Sequence, residues 1–354
     1  MVYEYYISNH LLHTDMKTAT SPSLSALFPV FSPLYIILLM VHLTACQDPT
    51  RGQMAQIEEV NRNAKAVTAA LENKLNGTEM VPETPSSTSE NSAQEAAFKA
   101  LMTWATSQQL GTRPFNEILV EVGKKFIGQP YVGGLLDKDT SKEPLVVNFS
   151  AFDCLLLVET VTALSTQIAR NDTNYQNFEA TLRGIRYKNG KQGYGTRLHY
   201  FTDWILENSV HNRIKDVTKE VGQGAGLVQS KQTLNFMSTH RGSYPQLIGN
   251  DALYQEIVQM EQRLKGVQLF YIPKTNLRKI YNKLQAGDIL ATATNLTGLD
   301  VTHTGFVVAN PDGSKGFMHA SSGSGKVKIS PDLQEYSMGI KAQVGILVLR
   351  PIKP

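Results

Sequence analysis

Residues 148–164 read NFSAFDCLLLVETVTAL. The first half mixes Asn, Ser and Asp with two spaced phenylalanines, as an extended segment does. From Cys154 onward the run is strongly apolar and unbroken by Gly or Pro, which predicts a helix. Cys154 therefore stands in a first helical turn, where unpaired backbone N–H groups and the positive end of the helix dipole favour the thiolate. The plain alternative is a small buried hydrophobe, a common state of cysteine.

Apolar residues recur at helical spacing in 96–108, 116–126, 175–185 and 199–209 as well as in 154–168. The last third changes character. Segments 268–272, 288–294, 304–309, 316–319 and 344–350 are short apolar or alternating runs separated by Gly, Pro and Asn, the pattern of strands. Helices followed by closely spaced strands predict an α+β domain with helices packed on an antiparallel sheet. Between them, 190–250 is Gly-rich and polar and embeds the blocks TRLHYFTDWI and FMSTHRGSYPQL. It reads as a long irregular insertion of the kind that carries function.

The chain has 354 residues, enough for about two domains or one with appendages. Lys plus Arg number 34 against 31 Asp plus Glu, a net charge of +3 with no block of like charges, so a nucleic-acid partner is not indicated. With 18% charged and 42% hydrophobic residues, the chain is neither wholly disordered nor a multi-span membrane protein. Two cysteines exclude a disulfide scaffold and a multi-thiolate zinc site.

The apolar run LYIILLMV at 34–41 is far short of the about 20 residues a spanning helix needs and suits the core of a secretory signal. Lys17 can supply its positive flank, which places the expected start of translation at Met16. The run ends in Leu43-Thr44-Ala45-Cys46, which resembles a bacterial lipobox, so 1–46 is expected to be a lipoprotein signal with Cys46 as the lipidated residue. Met54, Ile57, Val60, Ala64, Val67, Leu71 and Leu75 describe an amphipathic stalk over 47–76. Segment 77–95, rich in Pro, Ser, Thr and Glu, reads as a disordered tether. The folded body is expected over 96–354, anchored by its lipid, facing the periplasm from the outer membrane, and monomeric.

A cysteine nucleophile needs a base, and the base needs an orienting group. His303 opens the run HTGFVV and His319 lies in FMHAS, one hairpin later. Adjacent antiparallel strands would bring such residues to about 5 Å, close enough for one imidazole to orient another. Singly, each is more simply a core histidine.

At these residues the sequence resembles a family. The ordered set Phe126-Ile127-Gly128-Gln129-Pro130-Tyr131-Val132-Gly133-Gly134, Phe152-Asp153-Cys154, Gly287-Asp288-Ile289-Leu290, Thr302-His303-Thr304-Gly305-Phe306-Val307-Val308 and His319-Ala320-Ser321 resembles the NlpC-type papain-like cell-wall hydrolases. The resemblance implies a papain-like α+β fold and a peptidoglycan substrate without a cofactor. It makes Cys154 the nucleophile, His303 the base and His319 the group that orients it. It also implies that Tyr131 lines the cleft and helps the Cys154 N–H hold the oxyanion, and that Asp153 contacts the peptide stem.

Most such enzymes carry Ser-Gly after the Asp-Cys pair; here Leu155-Leu156 follow, then Val158-Glu159. That variant, with Arg197-Leu198-His199-Tyr200 and the block 237–247, is similar to the N-acetylmuramoyl-L-alanine amidase-like branch. The implied cut is between the lactyl group of the sugar and L-Ala. A γ-D-glutamyl-diamino-acid endopeptidase and a non-catalytic wall-binding lipoprotein are the rivals. Tyr200 and Arg241 are candidate muropeptide contacts, Arg through bidentate bonds to stem carboxylates; His199 and His240 either join them or pack between loops.

Gly323-Ser324-Gly325-Lys326 fails as a phosphate loop, because Ala320 and Val327 stand where Gly and Ser or Thr are required. Gly222, Gly224 and Gly226 lack a βαβ context and read as a loop. Cys154, His303 and His319 could in principle ligate zinc, but no HExxH or paired-Cys spacing accompanies them.

Overall fold

The structure is a computed structural model and describes residues 87–354. The expected signal, the lipidation residue Cys46 and the stalk 47–76 lie outside the described residues. Helix α1 (Ser87–Ser107) starts inside the stretch read as tether. Composition alone missed it because its order comes from tertiary packing: Phe98 meets the rings of Tyr175 and Phe178 at 5.5 and 5.1 Å.

Helices α2 (Phe115–Lys124), α3 (Cys154–Arg170) and α4 (Tyr175–Arg186) follow, close to the expected spans. Helix α3 is buried on nearly every side, as an apolar circumference demands. Asp153 caps it, extended at φ −88° and ψ 179°, with its carboxylate accepting the Leu156 N–H at 2.7 Å. Asn171, in the left-handed conformation, ends it.

The insertion is more ordered than its composition suggests. It contains α5 (Phe201–Val210), strand β1 (Ile214–Asp216), α6 (Thr218–Val221), β2 (Val228–Gln229) and α7 (Phe236–Thr239), followed by α8 (Asp251–Arg263). Tyr200, Met237, Leu247, Ile257 and Met260 give it a small core of its own.

Strands β3 (Phe270–Pro273), β4 (Ile289–Thr294), β5 (Val301–Ala309), β6 (Lys315–Ser321), β7 (Lys326–Ser330) and β8 (Gln343–Pro351) complete an antiparallel sheet of order β2-β3-β8-β4-β5-β6-β7, with β1 also paired to β8. Helix α9 (Leu333–Gly339) enters between β7 and β8. Successive strand residues feed two cores, as the two-residue period requires. Ile289, Ala291, Phe306 and Met318 join the helices, while Leu290, Val307 and Val348 pack with Leu277, Ile280 and Leu333. The architecture is the expected α+β one. The failed phosphate-loop motif is the turn between β6 and β7, with Gly325 at φ +67°.

Candidate active site

Tyr131 forms a parallel bridge with Phe152, two residues before the thiol. The Phe152 N–H donates to Pro130 O and the Val132 N–H to Phe152 O, both at 3.0 Å. The other edge of this segment is sewn to β7: the Tyr131 N–H donates to Gly325 O and the Gly128 N–H to Val327 O, both at 2.9 Å. The PYVGG segment thus joins the start of the cysteine helix to the sheet. Cys154 is buried. Asp153, expected to meet substrate, is 4% exposed and serves the helix as its cap.

His303 lies on β5 and His319 on the neighbouring β6. Their rings are 4.9 Å apart between centroids at 89°, and His303 Nε2 meets His319 Nδ1 at 2.8 Å. They are therefore joined as expected. A group not foreseen extends the chain: His319 Nε2 meets Ser330 Oγ of β7 at 3.0 Å. Phe317 stacks on His319 at 4.8 Å, and Tyr336 of α9 approaches it at the same distance. Burial, then the neighbouring His303 and Lys328, push the pKa of His319 down from 6.5 to about 2. His319 is thus neutral, with one ring nitrogen donating and the other accepting.

Two expected substrate contacts are engaged elsewhere. Tyr200 is 1% exposed; its hydroxyl donates to Glu261 Oε1 at 2.7 Å and accepts the Met237 N–H at 3.0 Å. It holds α7 and α8 to the body and offers no surface to a ligand. The Arg241 guanidinium donates to Leu247 O and Asp251 Oδ1, and its carbon stands 4.5 Å over the Tyr254 ring, so it braces its own loop. His199 is buried with Nε2 donating to Tyr194 O at 2.8 Å; burial and Arg197 push its pKa down to about 3. His240 stacks on Phe236 at 4.1 Å. Tyr200 could not be told from a cleft residue by sequence, because its partners Met237 and Glu261 lie 37 and 61 residues along the chain.

Glu159, one of the residues that set the chain apart from the common pattern, is structural. It accepts from Arg186 Nε at 2.6 Å with both side chains 1% exposed, and Arg186 Nη1 reaches Val146 O at 2.7 Å. Burial works against the charge of Arg186, but Glu159, Tyr187 and Asp153 together outweigh it and raise its pKa. Arg197 ties down the loop after Gly134 by pairing with Asp137 and, at 3.4 Å, with Glu143. Among the described residues no group of three or more His, Cys, Asp or Glu side chains is arranged to hold a metal ion.

This sheet-and-helix body is that of an amidase-like hydrolase. Residues 121–345 match the N-acetylmuramoyl-L-alanine amidase-like family, and the chain belongs to it. It is 32% identical to an N-acetylmuramoyl-L-alanine amidase of Bacteroides uniformis ATCC 8492 solved at 1.07 Å, covering 67% of this chain and 98% of that one with a TM-score of 0.62. A Bacteroides fragilis protein named as a xylanase is equally similar, at 32% identity and TM-score 0.60 over 65% of this chain and 99% of its own. A Legionella pneumophila protein at 21% identity, with TM-score 0.56 over 75% of this chain and 97% of its own, shares the fold. No curated protein matches the chain.

Proposed function

We propose that the chain is a cysteine-type peptidoglycan amidase of papain-like, NlpC-type design that cuts the amide between the lactyl group of N-acetylmuramic acid and L-Ala in muropeptides. The observation that carries this reading is the His303–His319 contact, an imidazole held by a second, neutral imidazole. Cys154, His303 and His319 all fall inside the family region 121–345.

In this reading the thiolate of Cys154 attacks the lactyl carbonyl carbon, helped by the N-terminus of α3. The backbone N–H of Cys154, with Tyr131 beside it, faces the developing oxyanion. As the C–N bond breaks, the His303 imidazolium gives its Nδ1 proton to the L-Ala nitrogen. Water, deprotonated by His303, then attacks the thioester carbonyl, and the sulfur leaves as thiolate beside the re-formed His303 imidazolium. Cys154 is buried, so the reading requires the walls of the site to part for substrate. The Leu43-Thr44-Ala45-Cys46 motif supports a lipid anchor at Cys46 and a periplasm-facing enzyme; radiolabelled palmitate should enter the wild type and not Cys46→Ala.

The test is mass spectrometry of a muramyl tripeptide that carries both candidate bonds. Free N-acetylmuramic acid and an intact tripeptide are the expected products. Muramyl dipeptide instead would identify a γ-D-glutamyl endopeptidase, and binding without cleavage a wall-binding protein.

A further inference from the structure

We infer that Ser330 is a positioning residue of this site, its hydroxyl fixing the tautomer of His319 that allows His303 to carry a second proton. The inference rests on the proposed cysteine mechanism and deepens it.

A neutral imidazole has one donor and one acceptor nitrogen, so what meets one nitrogen dictates the other. Two wirings fit the observed contacts. In the first, His303 Nε2–H donates to His319 Nδ1, and His319 Nε2–H donates to Ser330 Oγ. In the second, both bonds reverse and Ser330 donates its proton to His319 Nε2. When His303 becomes imidazolium both its nitrogens carry protons, and only the first wiring is then free of a proton–proton clash. His319 must therefore present a lone pair at Nδ1, which puts its own proton on Nε2 and demands an acceptor there. Ser330 Oγ, 3.0 Å away, is that acceptor.

The fold places this hydroxyl with little freedom. Ser330 pairs with Phe317 in the β6–β7 ladder, while His319 pairs with Lys328, so serine and histidine are diagonal neighbours on one sheet face. Ser330 is 8% exposed, which limits competition from water. The titratable groups around His319 are His303 on β5, Lys328 on β7 and Tyr336 on α9. An alanine would leave the Nε2 proton without a partner and favour protonation at Nδ1, facing His303.

The experiment has two arms on the full chain. The first is nitrogen NMR of histidine-labelled protein. The wild type should show His319 protonated at Nε2 when His303 is imidazolium, and Ser330→Ala should populate the Nδ1 tautomer. The second is the pH profile of muramyl tripeptide cleavage. Loss of one oriented hydrogen bond predicts about a tenfold fall in kcat for Ser330→Ala with KM unchanged. Its alkaline limb, where the imidazolium loses its proton, should move to lower pH, and Ser330→Thr should restore both. An Nδ1-protonated His319 in the wild type under those conditions, or a Ser330→Ala variant with an unmoved limb, would overturn the inference. If Ser330→Ala does not fold, the wild-type tautomer still decides. Cleavage that survives Cys154→Ala would instead sink the mechanism, and the NMR arm reads Ser330 independently of it.

Discussion

A β-carbon on Gly305 would stand 2.9 Å from the β-carbon of His319, and it would also press on Met318 O. The glycine of the His303-Thr304-Gly305 run therefore serves the neighbouring strand, letting β5 and β6 close far enough for the two imidazoles to meet. The main-chain oxygen cannot swing aside as a flexible side chain would. Gly305→Ala should cost about 1–3 kcal/mol by overpacking and pull His303 from His319. Urea denaturation would measure the first, and the fall in cleavage rate of a variant kept folded at low temperature the second.

Asp153 offers a way to separate a cap from a charge. Its carboxylate closes the first turn of α3 through Leu156 N. Asp153→Ala should lose about 1 kcal/mol of stability, whereas Asp153→Asn keeps an acceptor and should lose little. If the charge also meets the peptide stem, as the family resemblance implies, Asp153→Asn will melt near the wild type yet cleave slowly. Thermal unfolding and kcat/KM measured on the same preparations distinguish the roles.

The Glu159–Arg186 pair should behave as a buried ion pair, costly to break and cheaper to replace. Arg186→Ala leaves Glu159 buried without its partner and is expected to cost about 3–5 kcal/mol. Glu159→Leu combined with Arg186→Met should cost clearly less than the sum of the single changes. A double-mutant cycle by denaturant unfolding checks this.

Acid should weaken the fold through its neutral histidines. His199 and His319 have folded-state values of about 3 and about 2 against 6.5 unfolded. As pH falls below 6.5 the unfolded chain takes up protons that the folded chain refuses. Their contribution is thus complete above pH 6.5 and is lost progressively toward about pH 3, at up to about 1.4 kcal/mol per pH unit for each histidine. Unfolding free energies measured from pH 7.5 to 4.5 should show this slope, and His199→Gln should flatten it.

Much of this was legible in the chain. Apolar residues at helical spacing placed α2, α3 and α4 to within a few residues, because those helices bury a face whose period the sequence must carry. The strands were visible as short apolar runs since both sheet faces are covered, and the order HTGFVV then FMHAS put the histidines on adjacent strands. Strand β7 was not foreseen, although Lys326-Val327-Lys328-Ile329-Ser330 alternates with the right period, and Ser330 went unnoticed with it. Helix α8 likewise carries Leu253, Ile257, Met260 and Leu264 at helical steps. The interior role of Tyr200 was hidden for a different reason. A tyrosine that hydrogen-bonds Glu261 in the interior looks the same in sequence as one that lines a cleft, because its partner is fixed only by tertiary packing.

The central claim is that the sulfur of Cys154 performs the cleavage. Its most direct measurement is the rate at which Cys154→Ala releases N-acetylmuramic acid from muramyl tripeptide, beside wild type at equal concentration of folded protein. The account predicts no release above the uncatalysed background, with tripeptide affinity retained by calorimetry. Release at the wild-type rate would contradict it.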